Sequence, residues 1–331
     1  MRNPMGAKGG MLIFVTGATG FVGRALVERR LLHRRVRISA RATTQEWSHP
    51  NLKWVPGKSL SPEEDWSEAL AGASAVVHCA ARVHVINAHS PDQLEEFRRV
   101  NVDGTLNLAR QAAEAGTRRF VFLSSIKVNG GNTALGAPFT ADQQPDPGGD
   151  PYGVSKMEAE IALRGLASKT GMEVVIIRPP LVYGPGVKAN FLEMMRWLSR
   201  GVPLPLGAVT QNKRSLVALD NLVDLIEICI DHPAAANQIF LVSDGEDLST
   251  AALLRRLSLA LGRPARLIPV PVGLLKLGAA LFGRSAVAQR LCGSLEVDIG
   301  KTRDLLGWSP PVSVDEGLRR TAEYWLNSQE R

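Results

Sequence analysis

The sequence is poor in cysteine. Cys79, Cys229 and Cys292 are the only three in 331 residues, far apart and odd in number. That excludes a disulfide framework and any CxxC metal site. No metal centre is expected, and the pattern fits a reducing, cytoplasmic location. Long apolar runs are lacking too. The most apolar late stretch, 270–283, is interrupted by Lys276 and falls short of the roughly 20 residues that span a bilayer. It predicts an amphipathic helix packed on the core or a neighbour, with a membrane-surface role as the alternative. The opening MRNPMGAKGG has no apolar h-region; it reads as a disordered tail over 1–10, not a signal peptide. Charge of one sign does not dominate: Lys plus Arg number 39 against 32 Asp plus Glu, a formal +7. This suits an anionic small molecule and is weak for nucleic acid. The arginine-rich stretch 29–41 has no interleaved aromatics, so nucleic acid is not expected as a partner. There is no internal repeat and no low-complexity tract.

What is present is ordinary globular material, 45% hydrophobic and 21% charged, enough for a sizeable core. Short β-branched runs at 11–15, 36–40, 52–55, 75–79, 120–123 and 174–177 alternate with helical patterns at 21–32, 63–71, 92–115 and 152–166. That alternation predicts an α/β fold, a doubly wound parallel sheet covered on both faces. After Arg178 proline and glycine cluster, and helices (191–200, 220–231, 249–261, 315–326) mix with isolated strand-like pieces (215–218, 239–242, 267–270). The organisation expected is a dinucleotide-binding domain over 11–178 with returning segments near 215–242. A smaller, discontinuous substrate lobe would cover 179–214 and 243–331. The long loop 130–151 is a candidate functional segment.

TGATGFVG places Gly17, Gly20 and Gly23 after the first strand and at the mouth of the first helix, which Phe21 and Val22 open. Glycine lets backbone turn tightly and approach a pyrophosphate, and the helix N-terminus offers unpaired N–H groups. A tight βα turn without ligand is the bland alternative. The second strand ends in ISAR, with no acid for a ribose 2′-hydroxyl and with Arg41, whose guanidinium can pair with a 2′-phosphate. NADP(H) is therefore favoured and NAD(H) possible.

Tyr152-Gly-Val-Ser-Lys156 sets a tyrosine and a lysine at i and i+4, one face of a helix. A nearby ammonium would lower the phenol toward working pH, which suits proton transfer beside a nicotinamide. Ser124-Ser125 follows the fifth strand, where a hydroxyl can orient a carbonyl oxygen.

TGATGFVG, HCAA (78–81), VNVDGT (100–105), LSS (123–125), YGVSK (152–156) and RPPLVYGPG (178–186) together resemble the extended short-chain dehydrogenase/reductase family, in its nucleotide-sugar epimerase/dehydratase/reductase branch. The resemblance runs from about Met11 to Leu326 and implies a Rossmann-type fold. It implies Tyr152 as acid/base, Lys156 as the holder of the nicotinamide ribose and Ser125 as the catalytic serine. Asn101 matches an asparagine that braces the active site and counts among the cofactor-side residues. Ala80 and Pro179 match cofactor contacts. Asn190 resembles a residue touching the sugar diphosphate, and Arg214 and Arg290 resemble its two arginines, though each could be a solvated side chain. Departures are Arg41, the PGKSL stretch after the third strand, Leu181 and Ser294, which stand where relatives carry acids or an asparagine.

The residues after Ser125 narrow the reaction. The run Ile126-Lys127-Val128-Asn129 has no acid, which argues against 4,6-dehydration. SSIKVNG and AARVHV (80–85) resemble bacterial 4-keto reductases of UDP-linked 6-deoxy-N-acetylhexosamines for surface polysaccharide, and that reduction is the expected activity. A UDP-glucose or UDP-N-acetylglucosamine C4-epimerase with tightly bound NAD is the alternative. A non-catalytic cofactor-sensing module is a minor one, since Tyr152, Lys156 and Ser125 are all present. The resemblance also implies a homodimer through the helices around 92–115 and 152–166.

Overall fold

A computed structural model describes residues 11–31, 33–40, 48–56, 59–83 and 93–329. The predicted tail 1–10 and Arg41 lie outside the described residues. The chain divides into two compact units. The first holds residues up to Ser124, then Gly149–Ile177 and Ile226–Gln238; the second holds Ser125–Gly148, Arg178–Leu225 and Ile239–Arg331.

Six strands of the main sheet form in chain order: β1 (Leu12–Thr16), β2 (Arg35–Ala40), β3 (Leu52–Pro56), β4 (Ala75–His78), β5 (Arg119–Leu123) and β6 (Glu173–Arg178). They lie in the order β3-β2-β1-β4-β5-β6, and every pairing is parallel. The α/β class expected from the sequence is what forms. β1 and β4 are buried along their whole length, because a parallel sheet is covered on both faces; their runs LIFVT and AVVH are therefore apolar without alternation. β1 and β4 are sheet neighbours although two strands separate them from one another in sequence. That break in strand order leaves a crevice outside their carboxyl ends.

The first helix, α1 (Phe21–Leu26), continues as a π-helical turn over Val27–Leu31. A short α2 (Ser67–Leu70) precedes β4. The long pattern at 92–115 is described as α3 (Gln93–Arg98), a π-helical turn, and α4 (Thr105–Glu114). Helix α5 (Pro151–Thr170) starts on an Asp150 N-cap whose carboxylate accepts from the Tyr152 N–H, with Pro151 in the first turn, and stops at Gly171 in the left-handed conformation.

In the second unit β7 (Leu181–Tyr183) pairs in parallel with β8 (Leu216–Ala218). Helices α6 (Ala189–Ser199), α7 (Leu219–Asp231), α8 (Thr250–Ala260), α9 (Val272–Leu281), α10 (Ser285–Cys292), α11 (Gly300–Leu306) and α12 (Val314–Gln329) follow, with β9 (Ile239–Leu241) between α7 and α8. The residues of α7 from Ile226 onward count with the first unit. The organiser of the second unit is Asp244, whose carboxylate accepts from Tyr183 Oη at 2.7 Å, the Ala218 N–H at 2.7 Å and Asn221 Nδ2 at 2.7 Å.

Two expectations are corrected here, the second only in part. The strand-like piece 267–270 forms no strand; Leu267 makes one isolated bridge to Leu204, and the pairing goes no further because Pro269 within the piece and Pro271 after it cannot donate to a ladder. The stretch 270–283 is helical, but no residue of α9 is buried, so it is not packed on the core.

Candidate active site

The glycine loop sits where the strand order breaks. Gly17 follows β1 at φ +68, and a Cβ there would lie 2.6 Å from the Ala80 nitrogen just beyond β4. A Cβ on Gly23 would lie 2.3 Å from the Gly17 carbonyl oxygen. Only glycine fits either place, so the loop closes tightly over the mouth of α1. Gly20 is the N-cap of α1 and brings no side chain to cap it, which leaves the first N–H groups of that helix for another acceptor. This cradle fits a dinucleotide's pyrophosphate. The absence of a side chain at Gly17, Gly20 and Gly23 is what makes room for it.

Beneath the loop lies a brace that the sequence reading missed. Thr16 and His78 are paired residues of β1 and β4. Thr16 Oγ1 and His78 Nδ1 are 2.6 Å apart, and His78 Nε2 lies 3.0 Å from Thr105 Oγ1. Thr16 Oγ1 also accepts from the Ala80 N–H at 3.4 Å. His78 is fully buried, and burial, then the Lys156 ammonium, push it down to about 3. It is therefore a neutral pillar joining β1, β4 and α4. Both residues sit in motifs of the sequence, the histidine of HCAA and the threonine of VNVDGT, but nothing in either motif marks the other as its partner.

Tyr152, Lys156 and Glu160 project from α5 at i, i+4 and i+8. Lys156 is buried; its Nζ donates to the Leu123 carbonyl at 2.8 Å and lies 4.3 Å over the centre of the Phe122 ring. Burial brings its ammonium down to about 8, against the opposing pull of Glu160 and Cys79. The group is thus still charged near neutrality. Tyr152 meets Phe97 of α3 edge-on, ring centres 6.0 Å apart. Its phenol is pushed up, first by burial and then by the Asp150 carboxylate. No effect of Lys156 opposes these two on the phenol; the ammonium is turned to the carbonyl end of β5.

Ser124 Oγ donates to the buried Glu160 carboxylate at 2.5 Å. Of the serine pair, Ser124 is thereby engaged in the first unit. Ser125 begins the second unit, half-buried, and caps a single helical turn over Ile126–Val128 by accepting from the Lys127 N–H at 3.3 Å. Asn101 is buried, and its amide bonds are to Arg82 and Ser155. Its Nδ2 donates to the Arg82 carbonyl at 3.1 Å and to Ser155 Oγ at 3.1 Å, while its Oδ1 accepts from the Arg82 N–H at 2.8 Å. Ser155 lies between Tyr152 and Lys156, so Asn101 ties the chain beyond β4 to the helix that carries both.

The first unit thus gathers Gly17, Gly20, Phe21, Val22, Gly23, Ala80, Asn101, Tyr152 and Lys156. The second holds Ser125, Pro179, Asn190, Arg214 and Arg290. Pro179 is buried after β6, and its carbonyl accepts from the Ile126 N–H at 3.0 Å. Asn190 is exposed in the first turn of α6. Arg214 Nη1 donates to the Arg290 carbonyl at 2.8 Å and weakly to that of Gly293 at 3.4 Å, closing the C-terminal end of α10. Its guanidinium is lowered by burial and then by the Arg290 charge. Two like charges held together make a place for an anion. The loop 130–148 is pinned within the same unit. The Thr133 N–H donates to the Ser294 carbonyl, the Phe139 N–H to that of Glu296, and the Asp298 N–H back to that of Phe139.

The model of the NAD dependent epimerase/dehydratase family matches residues 13–243, and the chain belongs to that family. It is an enzyme family of extended short-chain dehydrogenase/reductase fold. A UDP-glucose 4-epimerase of Vibrio cholerae is 48% identical over 319 residues, 96% of this chain and 97% of its own. Among solved structures, the UDP-glucose 4-epimerase of Thermotoga maritima with UDP-glucose superposes with a TM-score of 0.76 over 96% of this chain and 100% of its own, at 23% identity. MoeE5 in complex with UDP-glucose and NAD does so with a TM-score of 0.74 over 96% and 99%, at 25% identity.

Proposed function

We propose that this enzyme is a UDP-sugar C4-epimerase that retains its NAD, acting on UDP-glucose or UDP-N-acetylglucosamine. The observation that carries this is the 48% identity to a UDP-glucose 4-epimerase along nearly the whole of both chains. The motifs SSIKVNG and AARVHV, which pointed to a 4-keto reductase, are short by comparison. NAD, when bound, would supply reversible hydride exchange at C4, so no net oxidant is needed. Tyr152 Oη takes the proton of the C4 hydroxyl and gives it back. On the family pattern Ser125 hydrogen-bonds the same oxygen. Lys156 supplies a fixed positive charge and binds the nicotinamide ribose. The glycine loop with Ala80 and Pro179 holds the dinucleotide, and Asn190, Arg214 and Arg290 hold the diphosphate. A phenol raised by burial becomes a base only when further positive charge is brought beside it, which ties proton removal to the oxidised cofactor being in place. The family pattern also carries a homodimer through α3–α4 and α5. Arg41 is the sole sequence basis for a 2′-phosphate, and a retained cofactor favours NAD.

The test is to denature purified enzyme, identify the released nucleotide by mass spectrometry, and follow UDP-glucose to UDP-galactose by proton NMR with no cofactor added. Stoichiometric NAD and interconversion are expected. Tyr152→Phe should keep the NAD and lose about 10²–10⁴-fold in turnover. Protein that arrives empty and consumes NADPH against a UDP-4-keto sugar would restore the reductase.

A further inference from the structure

Among the described residues, the second unit carries an apolar face that no other residue buries. In α9, Leu274, Leu277 and Leu281 recur at i, i+3 and i+7 and are 59%, 58% and 78% exposed; Phe282, the next residue, is 82% exposed. The other side of the same helix is also apolar. Leu275 and Ala279 line a cavity of about 530 Å³ together with Trp197, Leu204 and Leu291. A helix apolar all round belongs in a core or a membrane, not in water.

Charge says which. From Leu257 to Leu295 the chain has no Asp or Glu, yet it carries Arg263, Arg266, Lys276, Arg284 and Arg290. The stretch carries cations with no acid to offset them. A second copy meeting it face to face would bring Lys276 and Arg284 to a surface that carries the same cations and no acid to pair with them. An anionic bilayer offers apolar depth for the leucines and phosphates for the cations. At ten residues and about 1.5 Å per residue, α9 is too short to cross a bilayer, so it would lie in the interface plane.

We propose that the α9–α10 hairpin docks this enzyme on an anionic membrane surface, with Leu274, Leu277, Leu281 and Phe282 in the interfacial layer. The proposal does not depend on which sugar is epimerised.

The full chain is sedimented with vesicles of phosphatidylcholine alone and of equimolar phosphatidylcholine and phosphatidylglycerol, at low and high salt. Binding only to the anionic vesicles, weakened by salt, is expected. Leu277→Glu with Leu281→Glu should reduce it by more than about tenfold, since two buried leucines are lost. Arg284→Glu should reduce it by at least about fivefold. All three positions are exposed, so circular dichroism and turnover of a soluble UDP-sugar should be those of the parent. No sedimentation with anionic vesicles at low salt, equal binding to both compositions, or unchanged binding by the leucine variant would overturn the proposal. So would a dimer, by light scattering, that the leucine variant converts to monomer.

Discussion

His78 is the residue on which the glycine loop rests, and its chemistry predicts an acid limit to stability. Its folded value is about 3, against about 6.5 for a free histidine. A depressed value means the folded state refuses a proton that the unfolded chain accepts. The stabilisation is complete above pH about 6.5 and is lost as pH falls toward 3, at up to about 1.4 kcal/mol per pH unit. Urea midpoints at pH 7 and pH 5 should therefore fall further apart in the parent than in His78→Gln. The variant should itself be less stable at pH 7 by about 1–3 kcal/mol, since buried hydroxyls lose a partner. Equal pH dependence in both would show that His78 is not the titrating group. Nothing in the sequence ranked His78 above any other histidine, because its partners Thr16 and Thr105 meet it only through the sheet.

At the scale of elements, the chain uses glycine in opposite ways. Gly23 has backbone 2.3 Å from the place of a Cβ, and backbone cannot swing aside. Gly23→Ala should cost about 1–3 kcal/mol and leave the purified enzyme without its dinucleotide, read by melting temperature and nucleotide release. Gly165, exposed in the middle of α5, has nothing within 4 Å of a Cβ. Gly165→Ala should stabilise by about 0.5–1 kcal/mol through helix propensity and lost chain entropy and leave turnover unchanged. The Gly23 half was legible from GxxGxxG after a β-branched strand. The Gly165 half needed the knowledge that α5 presents that face to water.

At the scale of the molecule, the first unit is stitched from three separate pieces of chain, and Arg119 is the stitch. It is buried, its Nη1 donates to the carbonyls of Cys229, Ile230 and His232 at 3.0, 3.1 and 2.8 Å, and its Nε donates to Glu173 at 2.7 Å. Arg119→Met should cost about 1–3 kcal/mol, because the Cys229 and His232 carbonyls lose this donor, while Arg118 still donates to Glu173 and to the Ile230 carbonyl. Limited proteolysis should then cut first within 226–238. A variant as resistant as the parent there would show that the segment is held by apolar packing alone.

The amino-acid sequence by itself determined the alternation of strands and helices, the glycine turn after β1, and the tyrosine and lysine on one helix face. Each of these is a local matter of period, turn chemistry or i,i+4 spacing. Tertiary structure alone decided the rest. His78 became a neutral pillar and Asn101 a tie between Arg82 and Ser155, because sheet register and burial bring together groups far apart in the chain. The stretch 267–270 kept only an isolated bridge, in which the Ile268 N–H donates to the Leu204 carbonyl, because Pro269 and Pro271 cannot donate to extend it. α9, apolar as any core helix, stands uncovered because periodicity records which residues avoid water and not what will cover them.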